Sequence, residues 1–391
     1  MKKPLKILQI VPSIALVYGG PSQMVRGFSQ ALARQGVEVT VLTTNANGDV
    51  GQPPLNVPLD KPIDLDGYRV RYFRCSPFRR YKFSLDLLRW LWQHAPEYDL
   101  AHIHALFSPV SSGAAWVARQ RRLPYILRTL GTLDPADLQK KPGLKKLYVA
   151  AIEGGNLAGA TAVHFTTETE AKMARRFGVK MHDWVMPLGV EPFAASIDAD
   201  RTDPDNCPTI LFLSRVEPKK GLDLLIPALE RLQGEGLKFH FVLAGNNAQD
   251  PDYERQIARR IQNSPLFPRT TFAGFVGGDA KTLLLQSADI FALPSYYENF
   301  GIAVAEAMVT GVPVVISDRV QIADAVERSR SGWVTRCDVD DIAAALREAL
   351  QNPTERQHRG ANARKYALQN YSWEAIAAQT IRAYQQFLQT D

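Results

Sequence analysis

The chain has 391 residues, 46% of them hydrophobic, with a formal net charge of +6 and a sequence pI near 9.1, which favours a soluble protein with two cores. The basic balance suits a partner carrying phosphates, anionic lipid or acidic polymer without choosing among them. Cys75, Cys207 and Cys337 lie far apart, excluding a disulfide framework or zinc knuckle and fitting a reducing cytoplasm, and no segment has the apolar length of a membrane span.

Met1-Lys2-Lys3 and the apolar stretch over 5–17 have the outline of a signal peptide, but Gln9 and Pro12 interrupt it. A first parallel strand over 7–11 is the better reading. It leads through Tyr18-Gly19-Gly20-Pro21-Ser22 into a helix over 23–34 capped by Ser22, then a strand over 37–42. Gly19 and Gly20 would let a ligand approach the backbone, although a tight turn would use them too, and no Gly-x-Gly-x-x-Gly fingerprint is present. Residues 48–66, rich in Pro, Asp and Gly, read as a surface excursion.

Arg74, Arg79, Arg80 and Lys82 precede Phe83, Leu85, Leu87, Leu88, Trp90, Leu91 and Trp92. That order suits a membrane interface, but an ordinary packed helix with a basic approach is favoured. Asp99-Leu100-Ala101-His102-Ile103-His104 is a short strand with both histidines on one face. Metal binding is not expected, because no third ligand is near in sequence. His104 stands at the strand's carboxyl end, where open α/β sheets bind ligands, so structural and functional roles are both open for it. A helix over 113–120, a strand over 125–130 and Gly131-Thr132-Leu133-Asp134 follow. The basic cluster from Lys140 to Lys146 suits an anionic acceptor or headgroup, or a solvated helix start. A strand over 162–166 and a helix over 168–177 finish the first half.

Residues 187–208 read as a linker. Beyond it come a strand over 209–213, the loop Ser214-Arg215-Val216-Glu217-Pro218-Lys219-Lys220-Gly221, a helix over 222–232 and a strand over 239–244. The fold class is therefore α/β, with two Rossmann-like doubly wound domains facing across a cleft, followed by a helical tail. Between strands over 289–294 and 312–317 lies Tyr297-Glu298-Asn299-Phe300-Gly301-Ile302-Ala303-Val304-Ala305-Glu306, read as a loop entering a helix that ends at Gly311. The amides of Gly301, Ile302 and Ala303 would form an anion site. Glu306 shares a helical face with Ile302 and Val309. Its carboxylate needs a partner there, and a hydroxyl-rich ligand would supply one.

Glu298 and Glu306 with seven residues between them, Pro294-Ser295-x-x-Glu298-x-Phe300-Gly301 and Ser214-Arg215-x-x-x-Lys219-Lys220-Gly221 together resemble the retaining glycosyltransferases of family four, which have the GT-B fold. The resemblance spans nearly the whole chain, taking in Gly19-Gly20, the Asp99 to His104 segment, Gly274-Phe275-Val276, Ala288-Asp289, Gly311-Val312-Pro313-Val314-Val315 and the Trp373 tail. It implies domains over 1–190, on the acceptor side, and 191–371, binding the nucleotide sugar, with 372–391 crossing back to the first. It further implies that Arg215 and Lys220 bind the donor pyrophosphate, Glu306 the ribose hydroxyls and Glu298 the donor sugar. Asn299 and Phe300 belong to the same donor loop. The amides of Gly301 and Ile302 would meet the phosphates, Gly19 and Gly20 would approach the diphosphate, and the backbone around Phe275 and Val276 would meet the base. His104 would sit near the sugar.

The implied reaction transfers a sugar, with retention, from a nucleotide diphosphate donor such as UDP-glucose to an acceptor hydroxyl. No metal or other cofactor is expected, since the cationic loop replaces it electrostatically. Arg128-Thr129-Leu130-Gly131-Thr132-Leu133-Asp134-Pro135 resembles bacterial members that build exopolysaccharide or cell-envelope repeats, a heterocyst-envelope type among them. This gives Arg128 and Asp134 as acceptor contacts, a saccharide or lipid-linked acceptor, and a cytoplasmic location with peripheral contact at the inner face of the membrane. A hydrolase, a GT-B epimerase or phosphorylase, and a non-catalytic nucleotide-sugar scaffold are weaker readings. No nucleic-acid partner is expected, because neither an RNP-like motif nor a recognition-helix pattern occurs.

Overall fold

The computed structural model describes residues 3–48, 52–76, 82–130, 152–192, 207–247 and 250–389. The chain forms two compact units, residues 1–189 with 373–391, and residues 190–372. The first contains β1 (Lys6–Ile10), β2 (Glu38–Thr44), β3 (Pro62–Leu65), β4 (Tyr68–Phe73), β5 (Leu100–His104), β6 (Tyr125–Arg128), β7 (Ala162–Phe165) and β8 (Asp183–Val185). These form one sheet in the order β3-β4-β2-β1-β5-β6-β7-β8, parallel except where β3 pairs antiparallel with β4 at the edge.

Helices cover both faces of this sheet, so its central strands are buried on both sides. Along β1, Leu8 and Ile10 pack beneath the helices Leu85–His94 and Pro109–Gln120, while Ile7 and Val11 meet the helix Gly20–Arg34 and the tail helix Trp373–Phe387 on the other face. The tail is keyed in by Trp373. A Cβ at Gly189 would stand 2.0 Å from its indole, and one at Gly27 would stand 2.7 Å away. Gln35 Nε2 also donates to the Glu374 carbonyl at 2.8 Å.

The second unit contains β9 (Thr209–Leu213), β10 (His240–Ala244), β11 (Thr270–Gly274), β12 (Ile290–Leu293), β13 (Val314–Ser317) and β14 (Gly332–Thr335). All are parallel, in the order β11-β10-β9-β12-β13-β14. Its amide at Val190 donates to the Tyr371 carbonyl at 2.7 Å, joining its two chain ends.

Three expectations change. The stretch over 48–66 contains β3, whose residues Pro62–Leu65 pair with β4. The helix expected from residue 23 begins at Gly20 with Gly19 as its N-cap, and Ser22 is no cap: its hydroxyl donates to the Ser13 carbonyl at 3.5 Å. Pro21 explains the shift, since a proline lacking its N–H is welcome in a first helical turn. Pro109 starts the next helix earlier than expected for the same reason. Arg79, Arg80, Asp134 and the Lys140 to Lys146 cluster lie outside the described residues. Among the described residues no helix is long and apolar enough to cross a membrane.

Gly189→Ala is expected to destabilise the first unit by about 1–3 kcal/mol, because a Cβ has no space beside Trp373. The thermal midpoint checks this; an unchanged midpoint would contradict the packing.

Candidate functional site

In the second unit, β9 and β12 are neighbours although β10 and β11 intervene in the chain. Their following loops therefore open side by side at the switch point of the sheet, where α/β folds bind ligands. The loop after β9 ends in the short turn Pro218–Lys220 and Gly221. Gly221 has φ of 74°, and a Cβ there would lie 2.0 Å from the Pro294 carbonyl oxygen after β12. Only glycine tolerates both that backbone conformation and that approach. The Tyr296 amide then donates to the Lys219 carbonyl at 2.8 Å, sewing the loops together.

Side chains complete the junction. The buried Lys220 ammonium donates to the Glu298 carboxylate. Arg215 and Lys219 stand 3.2 and 3.4 Å from Glu217. From Glu298 the chain turns through Gly301, at φ of 83°, into the helix Ile302–Thr310. No side chain caps that helix and no acidic residue occupies its first turn, so its leading amides, which lack intrahelical acceptors, are at the positive end of the helix dipole. One turn further on, Glu306 accepts a hydrogen bond at 2.6 Å from Lys281 of the helix Gly278–Ser287. The partner expected for Glu306 from a ligand is thus supplied by the protein itself.

The other residues singled out in this unit divide. Phe300 is buried, with its ring edge-on to Tyr371 at 5.3 Å, so it anchors the turn and offers no ring face. Phe275, after β11, is 77% exposed, and Val276 beside it is half-buried. Asn299, also half-buried, lies between Glu298 and Phe300.

In the first unit, Gly19 follows the turn Leu16–Tyr18 with φ of 66°, and Gly20 opens the helix. Beside them is a pocket of about 380 Å³ at the carboxyl ends of β1 and β5, lined by Ser13, Tyr18, Ser22, Lys82, Phe107 and Leu130 among others. The Lys82 ammonium lies over the Tyr18 ring at 4.7 Å. His104 and Arg128 are in register on β5 and β6, and both are buried: His104 lies against Gln9, and Arg128 lies against Met24 of the helix Gly20–Arg34. The expected contacts of His104 with a sugar and of Arg128 with an acceptor therefore have no solvent-facing side chain behind them in this unit.

These two residues belong instead to a buried polar row. His102 and His104 stack at 4.7 Å, with Phe28 edge-on to His102. His164 Nε2 contacts the Met186 carbonyl at 2.8 Å, and its Nδ1 lies 3.2 Å from His102 Nε2. His102 Nδ1 lies 2.6 Å from the Tyr384 hydroxyl, and His104 Nε2 lies 2.6 Å from Gln9 Oε1. Since a carbonyl only accepts, the neutral tautomers follow in order: His164 Nε2–H donates to Met186, His102 Nε2–H to His164, and Tyr384 O–H to His102. Burial drives all three histidines well below their usual pKa, with neighbouring histidines and Arg128 adding to it. Burial also pulls the Arg128 guanidinium down to about 10. Among the described residues, no three His, Cys, Asp or Glu side chains are grouped to hold a metal ion.

Two family models match the chain, "Glycosyl transferases group 1" over residues 195–366 and "Glycosyl transferase 4-like domain" over residues 19–189. Glycogen synthase of Mycobacterium tuberculosis is 32% identical over 94% of this chain and 91% of its own. The chain belongs to the family-four glycosyltransferases. Its fold is GT-B: sucrose-phosphate synthase of Thermosynechococcus elongatus superposes with a TM-score of 0.75 at 23% identity over 99% of this chain and 100% of that one. Anabaena HepE, solved in complex with UDP and glucose, gives 0.72 at 19% identity over 97% and 99%.

Arg215, Lys220, Glu298 and Glu306 were singled out in the sequence, whereas Lys281, which pairs with Glu306, was not. Asp279 and Lys281 sit on a helix with little amphipathic contrast, so nothing local marks which side faces Glu306. The buried histidines make stability depend on pH. Their folded pKa values are depressed, so the unfolded chain takes up protons that the folded core refuses as pH falls below about 6.5, and the stability present above that value is progressively lost. Three protons correspond to a slope of up to about 4 kcal/mol per pH unit. Urea titrations across that range check this; a slope of less than one proton would contradict the neutral row.

Proposed function

We infer that this glycosyltransferase moves a sugar from a nucleoside diphosphate donor, UDP-glucose or a close relative, to a hydroxyl of a saccharide or lipid-linked saccharide. The transfer retains anomeric configuration and serves polysaccharide synthesis at the inner face of the cytoplasmic membrane. The observation that carries the donor side is the Lys220–Glu298 pair at the β9/β12 switch point, beside the uncapped helix start at Ile302. Cation, hydroxyl acceptor and backbone amides converge there, which is the set a sugar diphosphate needs. The likeness to Anabaena HepE, solved with UDP and glucose, supports the choice of donor.

In this reading Lys220 and Arg215 hold the diphosphate oxygens, Arg215 with its planar fork and Lys220 as a point charge. The amides of Gly301 and Ile302 meet the same phosphates. Glu298 takes the sugar hydroxyls and Glu306, oriented by Lys281, the ribose hydroxyls. Phe275 and Val276 flank the base through their backbone. Asn299 and Phe300 hold the loop between the two carboxylates. His104, in its buried row, positions the β5 loop rather than touching sugar.

As the bond between the anomeric carbon and the diphosphate oxygen breaks, the acceptor oxygen bonds to the same face of that carbon. The acceptor proton passes to an oxygen of the departing phosphate, and the nucleoside diphosphate leaves. Cations and amides stabilise the charge that develops on it, a task commonly worth about 3–4 kcal/mol per well-placed donor. No metal is required in this scheme.

Labelled UDP-, GDP- and ADP-sugars with an oligosaccharide acceptor panel test the proposal. Glu298→Gln and Lys220→Ala are expected to lower kcat/KM by about 100- to 1000-fold with the fold intact by circular dichroism, and a chelator is expected to change nothing. Full activity in both variants, phosphate-dependent turnover, or release of an epimer without acceptor would overturn it.

A further inference from the structure

The helices Leu85–His94 and Pro109–Gln120 lie side by side on one face of the first unit. Leu87 and Leu91 point inward and complete the core, yet the outward side is not polar. Leu85, Trp92, Trp116 and Ile152 are each between 42% and 49% exposed. The two indoles stack at 6.0 Å with 24° between their planes. Alongside runs a groove of about 720 Å³ lined by all four residues, and Pro109 lines both it and the pocket at the carboxyl ends of β1 and β5.

Cations rim this surface. The Arg121 guanidinium lies over the Trp92 ring at 5.4 Å, and Arg89 and Arg119 line the groove. No carboxylate lines it among the described residues; exposed Asp86 stands outside it, 3.8 Å from Arg89. Helix stability does not require these outward side chains, so their exposure calls for a partner that is both apolar and anionic.

We propose that this face docks the enzyme on an anionic lipid bilayer, with Leu85, Trp92, Trp116 and Ile152 entering the interfacial layer and Arg89 and Arg121 meeting phosphate headgroups. Indole and guanidinium groups are the side chains suited to that layer, and cations near an anionic surface add electrostatic attraction to it. A second copy fits worse, since a two-fold contact would set the Arg89, Arg119 and Arg121 clusters against each other. A glycan fits worse as well: Arg121 covers one face of Trp92, and Leu85 and Ile152 offer hydroxyls no hydrogen bond. The proposal rests on the membrane location inferred above and names the surface that achieves it.

Co-sedimentation with phosphatidylcholine vesicles, with and without phosphatidylglycerol, tests it. The wild type is expected to pellet with the anionic vesicles, release at high salt and show a blue shift of tryptophan emission. Trp92→Ser with Trp116→Ser, and separately Arg121→Glu, are expected to lower partitioning at least about tenfold while thermal midpoint and transfer to a soluble acceptor are unchanged. If the wild type stays in solution, the membrane location itself fails while sugar transfer stands. If the wild type pellets but both variants pellet equally, this face is wrong and the location stands. Loss of a dimer or of soluble glucan binding in the variants, without loss of vesicle binding, also overturns it.

Discussion

A lysine ammonium held against a glutamate carboxylate at the ends of two adjacent parallel strands organises the second unit. Lys220 and Glu298 are 78 residues apart, and they meet because β9 and β12 pair while β10 and β11 build outward on the other side. The backbone must come as close as the side chains, which is why Gly221 lies against Pro294 and why the Lys219 carbonyl receives the Tyr296 amide. A largely buried charge pair is costly to form and more costly to break by halves, so its retention at a ligand-binding edge argues for chemistry over stability. The neighbouring Lys281–Glu306 pair repeats the arrangement one helical turn inside an uncapped helix. Both carboxylates are therefore held in place by a lysine of the protein itself.

The first unit solves a different problem. Its polar row of Gln9, His102, His104, Arg128 and His164 lies on the face of the sheet covered by the tail helix, and Tyr384 of that helix joins the row. Buried polar groups are mostly hydrogen-bonded, and the tautomer order from Met186 to Tyr384 pairs His164, His102 and the Tyr384 hydroxyl. The same contacts tie the last helix of the chain to the sheet that the first residues begin. Trp373 adds a steric key, since only glycine at positions 27 and 189 leaves room for its indole. The β5 loop, which frames the pocket near Gly19, is thus braced by residues from the opposite end of the sequence.

Much of this was legible in the residues. Apolar runs such as Thr209–Leu213 and Val314–Ser317 read as buried parallel strands, and the ordered motifs from Ser214-Arg215 to Glu306 carried the resemblance to the family. Less legible were positions whose meaning depends on packing. His104 has the strand-end placement of a ligand contact, but the pleat turns it under the helices. Phe300 belongs to the Pro294 to Gly301 motif, yet its ring packs edge-on against Tyr371. Ser22 has the chemistry of a cap, and Pro21 moves the helix start past it.

By itself the sequence determined the alternation of strands and helices, the family, and the motifs that contain Arg215, Lys220, Glu298 and Glu306, because periodicity, turn chemistry and motif spacing are local properties. Only the tertiary structure decided the partners of those charges. Lys281 reaches Glu306 across 25 residues, Trp116 stacks on Trp92 across two helices, and Tyr384 meets His102 across 282 residues. Such contacts are set by strand order and helix packing, which bring together side chains that no spacing along the chain relates.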